Sequence, residues 1–269
     1  MMARTLTPPI DDSHGIRAPA RIRRIGPNDI RAALARGWHD FLARPSHIVA
    51  LFVIYPAIGF VLTFAAFDYA LMPLLFPIVA GFALIGPITA VGVFELSRQG
   101  ESGPAPRLAD ALAVLIGPSI GAILRVALVL LGLFTLWLVV AQQIVFATIG
   151  EQAPDGIGPF LHQVATTAEG RMMFVLGNGL GFCFAVAALA IGVFSLPMLV
   201  DGETSARDAV VTSVRACLAN PVTMAMWGLV VAGLLAAAIL PAFAGLLVVL
   251  PWLGHATWHL YRATIDRTG

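Results

Sequence analysis

Long apolar runs set the first constraint on this chain. Six stretches, 47–66, 70–94, 122–146, 173–200, 222–240 and 242–261, are almost free of charge. A helix needs about 20 apolar residues to cross a hydrocarbon core about 30 Å thick. The core offers no water to an open backbone, so runs of this length cross as helices. Of the 269 residues, 59% are hydrophobic and only 12% charged, with mean hydropathy +0.89. That is too little charge to cover a soluble domain. The expected fold is all-α: a polytopic helical membrane protein with six transmembrane helices.

The last two runs form one apolar block from 222 to 253. At about 1.5 Å per residue, one helix of that length would reach roughly 48 Å. Pro241 and Gly245 are the breakers within the block, so a turn near 241–245 is expected. Arginine placement sets the orientation. The chain has no lysine. With six spans and the N-terminus inside, Arg171 alone lies outside, and Arg125 snorkels at the inner end of the third span. The positive-inside rule therefore places both termini in the cytoplasm of a bacterial inner membrane. Residues 1–27 read as a disordered Arg/Pro-rich tail and 263–269 as a short cytoplasmic tail, with the membrane domain at 28–262. No apolar core of signal-peptide length precedes the first span.

A weak repeat runs through the chain. Leu42-Ala43-Arg44-Pro45 echoes Leu218-Ala219-Asn220-Pro221, and Gly92-Val93-Phe94-Glu95-Leu96 echoes Gly192-Val193-Phe194-Ser195-Leu196. A similar segment from Arg107 to Pro118 precedes the third span. The spacing predicts three pseudo-repeated hairpins, each preceded by a short cytoplasmic amphipathic helix. In 28–44 the expected stripe is Ile30, Leu34, Trp38, Phe41 and Leu42; in 205–219 it is Val210, Val214, Cys217 and Leu218. Ser205 and Asp208 suit a capping-box-like start. Pro45 and Pro221 end these helices and turn the chain into the membrane.

Several segments carry a family resemblance. They are Gly81-Phe82-Ala83-Leu84-Ile85-Gly86-Pro87, Glu95-Leu96-Ser97-Arg98, Gly177-Asn178 with Gly181, Leu218-Ala219-Asn220-Pro221, and Gly254-His255-Ala256-Thr257-Trp258-His259-Leu260-Tyr261. In order and spacing, over roughly 28–262, the chain resembles the integral membrane proteins grouped as domain of unknown function 2189. The resemblance implies the membrane architecture and supplies no activity.

Few residues are candidates for chemistry. His255 and His259 lie four apart on one helix face, a spacing that could hold a metal or haem. Beside Trp252, Trp258 and Tyr261 they read instead as anchors at the headgroup level. Asn178, among Gly177, Gly179 and Gly181, reads as an interhelical packing amide rather than one lining a solute path. Glu95 and Arg98 read as an ion pair at the interface rather than a proton- or ligand-binding site. Cys183 and Cys217 are placed in a span and on the cytoplasmic side, no disulfide pair.

No Walker loop, His-Glu-x-x-His, nucleophile elbow or dinucleotide fingerprint is present in the sequence. No Asp, Glu or Arg falls in the middle third of a span, which weighs against ion-coupled transport. The expectation is a non-enzyme without cofactor, whose partners are the lipid bilayer and another membrane protein or a second copy, with no nucleic acid. Three functions fit: packing with or assembly of another membrane complex, a channel or facilitator for a small neutral solute, and a haem or metal protein using His255 and His259.

Overall fold

The computed structural model describes residues 21–43, 52–67, 90–101, 114–150, 157–202, 204–241 and 243–266. In chain order these form β1 (Arg21–Ile22), α1 (Pro27–Ala43), α2 (Ile54–Phe67) and α3 (90–101). After a 3-10 turn at Val114–Ile116 come α4 (Ile120–Thr148), α5 (Ile157–Thr166), α6 (Ala168–Gly192) and α7 (Ser195–Asp201). The chain continues with α8 (Ala206–Ala219), α9 (Pro221–Ile239), α10 (Leu246–Thr264) and β2 (Ile265–Asp266). Three described runs are long and apolar enough to cross a membrane: Ile120–Thr148, Ala168–Asp201 and Pro221–Ile239. They coincide with the expected third, fourth and fifth spans. The expected second span lies largely outside the described residues, as does the start of the first.

The break in the last apolar block falls where Pro241 and Gly245 suggested. Helix α9 ends at Ile239 and α10 begins at Leu246. In the turn Phe243 adopts φ 65°, a left-handed conformation that costs a non-glycine residue energy. Its ring lies where a side chain on Gly59 of α2 would sit, so the turn is clamped by packing. Helix α10 is no lipid-washed span in its second half. Leu253, His255, Ala256, Trp258, Leu260 and Tyr261 are all buried in protein.

Helix α1 makes the most extensive contact with α10. The two backbones touch where Gly37 meets Ala256. A Cβ on Gly37 would lie 2.5 Å from the Ala256 nitrogen. The Trp252 indole N–H donates to the Leu34 carbonyl at 2.9 Å. Close approach of this kind needs small residues at the crossing, and this corrects the expected stripe. Helix α1 buries Ile30, Ala33, Gly37 and Phe41, whereas Trp38 is 39% and Leu42 55% exposed. Helix α8 repeats the pattern: Ala209, Ser213 and Ala216 are buried and Leu218 is 74% exposed. Its start is as expected, with the Ser205 hydroxyl accepting from the Asp208 N–H.

The break between α6 and α7 has a local cause. Pro197 cannot donate to the carbonyl of Val193. One residue on, the Ser213 hydroxyl enters the ladder: it donates to the Ala190 carbonyl at 2.7 Å and accepts from the Phe194 N–H at 3.2 Å. Those two groups would otherwise bond each other. A side chain inserted into the ladder redirects the helix.

The N-terminal boundary also moves. The disordered tail was expected to reach residue 27, but residues 21–26 are docked. Arg21 and Ile22 pair antiparallel with Asp266 and Ile265. The Asn220 side chain accepts from the Ile25 N–H and donates to the Arg23 and Ala216 carbonyls. Thr223 donates to the Ile25 carbonyl. Thus β2 lies where the short C-terminal tail was expected.

Single cysteines along α1, in a background without Cys183 and Cys217, test the corrected face. Labelling should be slowest at Ile30, Ala33 and Phe41, and fast at Arg31 and Arg36. Fast labelling at Ala33→Cys would show that α1 is not docked.

Candidate functional site

The described polar side chains that link separate helices concentrate around the second half of α10. Side chains of α1, α3 and α7 reach it there. Asp40 of α1 receives His259 Nε2 at 2.7 Å and lies 4.0 Å from His255 Nδ1. Ser97 of α3 meets that same His255 Nδ1 at 2.6 Å. Burial alone would push the Asp40 carboxyl up. The His259 hydrogen bond and the surrounding imidazoles outweigh it and hold Asp40 below the usual carboxylate range.

One turn on, Arg262 reaches Glu101 of α3 at 3.0 Å and Asp201 of α7 at 3.4 Å. The Trp258 indole N–H donates to Glu101 and the Tyr261 hydroxyl to Asp201. Both rings are fully buried, so these bonds satisfy the polar end of each. This corrects the anchor reading of His255, Trp258 and Tyr261. His255 is 2% exposed, and these side chains are packed between helices rather than at headgroups. His259 is held to α1 by Asp40, and Trp252 by Leu34.

Glu95 and Arg98 do pair, with two hydrogen bonds at 2.6 and 2.8 Å. The carboxylate is buried at 5% exposure, and Gln99 donates to it as well, while the Arg98 side chain is 41% exposed. Asn178 departs from its expected role. It is exposed, and its amide donates to the Phe174 carbonyl of its own helix at 2.7 Å. Of its neighbouring glycines, Gly181 packs on the Trp137 ring, while Gly177 and Gly179 have open space.

Ser97, His255 and Asp40 are the residue types of a hydrolase triad, but their geometry is wrong for one. A relay needs the nucleophile on one ring nitrogen and the acid on the other. Here Ser97 and Asp40 both approach Nδ1. Nor do His255 and His259 converge with a third ligand: among the described residues, no group of three His, Cys, Asp or Glu side chains could hold a metal ion.

Reasoning from sequence missed Glu101, Asp201 and Asn220 as structural partners. The first two had a signal. Extended by five residues, the two Gly-Val-Phe copies both end in an acid, Glu101 and Asp201.

Long apolar helices with most of their surface turned outward define an integral membrane protein. Residues 74–201 match the model of a family described as predicted integral membrane protein, DUF2189. The chain is thus similar to that family over a shorter stretch than the resemblance suggested. Neither the curated proteins nor the solved structures yield a match.

Two substitutions separate a structural amide from a peripheral one. Asn220→Leu strips the Ile25 N–H and the Arg23 carbonyl of partners and should cost about 1–3 kcal/mol. Asn178→Leu should change stability by no more than about 0.5 kcal/mol. Thermal unfolding in detergent reads both. A larger loss at Asn178 would restore its packing role.

Proposed function

We propose that this chain is a non-catalytic six-span protein of a bacterial inner membrane that packs with, or helps assemble, another membrane complex. One observation carries the reading. The charged groups around α10 are committed to one another: Asp40 to His259, Glu95 to Arg98, and Glu101 and Asp201 to Arg262. Glu95 and Arg98 share α3, and the other pairs join separate helices. What the molecule offers outward is apolar helix surface. Only 17%, 39% and 22% of the most apolar windows of the three described spans are buried, leaving those faces to lipid or to a partner. A solute path converging on Asn178 gains no support, because its amide bonds its own helix.

An even number of crossings is supported by the β1–β2 pairing, which sets residues 21–22 and 265–266 on one side of any membrane. With three spans described, at least one more is needed, and α10 and the first two apolar runs supply the remainder of six.

The three-hairpin repeat also gains support. In the alignment that sets Leu42–Pro45 on Leu218–Pro221, Ala33 falls on Ala209 and Gly37 on Ser213, all four buried. Gly37 abuts Ala256, two residues after Gly254; Ser213 bonds Phe194, two residues after Gly192. Each pre-hairpin helix thus crosses the second helix of another hairpin at an equivalent place. The matching contact of the segment from Arg107 lies mostly outside the described residues.

A reporter fused after Gly269 should behave as cytoplasmic, and a periplasmic signal there would break the six-span reading. Affinity purification in mild detergent, followed by mass spectrometry and a visible spectrum, tests the function. The expected result is a membrane protein co-purifying at fixed ratio and no chromophore. A Soret band lost in His255→Gln/His259→Gln would overturn it in favour of haem.

A further inference from the structure

The imidazole of His255 has an unusual position. Its side chain is 3% exposed, and its Nε2 is buried without a hydrogen-bond partner. Buried polar atoms are nearly always satisfied, so this nitrogen marks a place where a proton alters the balance. Asp40 is the carboxylate within reach, 4.0 Å from His255 Nδ1 and 2.7 Å from His259 Nε2. His39 lies 3.9 Å from Asp40 but is 87% exposed, so solvent screens it.

The remaining charges around α10 are already engaged. On α3, Glu95 holds Arg98, and Glu101 holds Trp258 and Arg262. On α7, Asp201 holds Tyr261 and Arg262. Helix α9 has no titratable side chain, and α2 contributes Tyr55 within its apolar cluster. On α1, Arg31 and Arg36 are exposed, and Asp29 binds the Gly26 N–H.

We propose that Asp40, His259, His255 and Ser97 form a proton-operated clasp: one proton on the two imidazoles holds α1 against α10, and a second releases it. The charge count carries the argument. The first imidazolium is balanced by Asp40 and strengthens its hydrogen bond. Among the described residues the second has no carboxylate left to balance it, and the buried Nε2 has no partner. A buried charge without a partner is among the costliest things a fold can hold. Undocking α1 brings water to both rings and relieves that cost. Release uncovers the small-residue face of α1, Ile30, Ala33, Gly37 and Phe41, together with the matching face of α10.

The test uses the full chain in lipid nanodiscs, with Cys183 and Cys217 replaced by serine. Labelling of Ala33→Cys reports undocking, and labelling of Arg36→Cys on the exposed side of α1 corrects for the reagent's own pH dependence. Protection of Ala33→Cys should hold at neutral pH. Below the ordinary imidazole value of about 6.5 it should fall about tenfold per pH unit, the slope of one proton. His255→Gln should abolish this step, because only His259 then remains for Asp40 to balance, and protection should persist into the carboxylate range, below about 3.9. His259→Gln should make the fall smaller, because His255 then has Asp40 to itself. His39→Gln should leave the step unchanged. A flat profile in the parent protein, or a step that survives His255→Gln, would overturn the proposal. So would α1 already undocked at neutral pH in both variants, since the rings would then act by packing rather than by charge.

Discussion

Helix α1 can lie on α10 only because glycine and alanine face each other where they cross. At Gly37 and Ala256 there is no room for even a methyl group on the α1 side. Bulkier residues there would hold the axes apart and lengthen every contact beside them. The indole bond from Trp252 to Leu34 and the carboxylate bond from Asp40 to His259 both depend on that spacing. The segment before α1 is tied down alongside, with residues 23–25 bonded to Asn220 and Thr223. In the apolar core of a bilayer, where helices gain little from hydrophobic burial against one another, such close contacts and hydrogen bonds are the main cohesive forces.

Much of this was legible in the sequence, but unevenly. The apolar runs marked the three described spans, Pro241 and Gly245 marked the last turn, and Ser205 marked the start of α8. The faces were read in part: Ile30 and Phe41 are buried and Leu34, Val210 and Cys217 pack against the core. Periodicity rewards bulk, so it passed over Ala33, Gly37, Ala209 and Ser213, which are buried, and it included Leu42 and Leu218, which are exposed, while Trp38 stays 39% exposed with its ring edge-on to Trp252. Lipid and protein are both apolar neighbours to such a helix, and Leu42 and Leu218 turn away from the protein. The same ambiguity hid the role of Trp258 and Tyr261, because an aromatic cluster at a helix end reads alike whether lipid or protein covers it. Pairs such as Asp40 with His259, 219 residues apart, leave no local trace.

The polar groups at the end of α10 show how a chain of this composition spends its few charges. Glu101 and Asp201 occupy equivalent places in the two Gly-Val-Phe copies and meet one arginine, Arg262. Duplication of a hairpin would bring such pairs together without separate invention of each. Asn220 does comparable work with a neutral amide, tying three backbone groups from two distant segments.

The crossing of α1 and α10 also has a consequence for synthesis. Leu34 and Trp252 are 218 residues apart, so α1 leaves the ribosome long before its partner exists. At a chain-growth rate of about 5–20 residues per second, α1 waits for on the order of tens of seconds with its small-residue face bare. Any nascent chain that stalls before α10 emerges keeps that face uncovered. An undocked α1 is therefore the state of every chain whose synthesis has not yet reached α10.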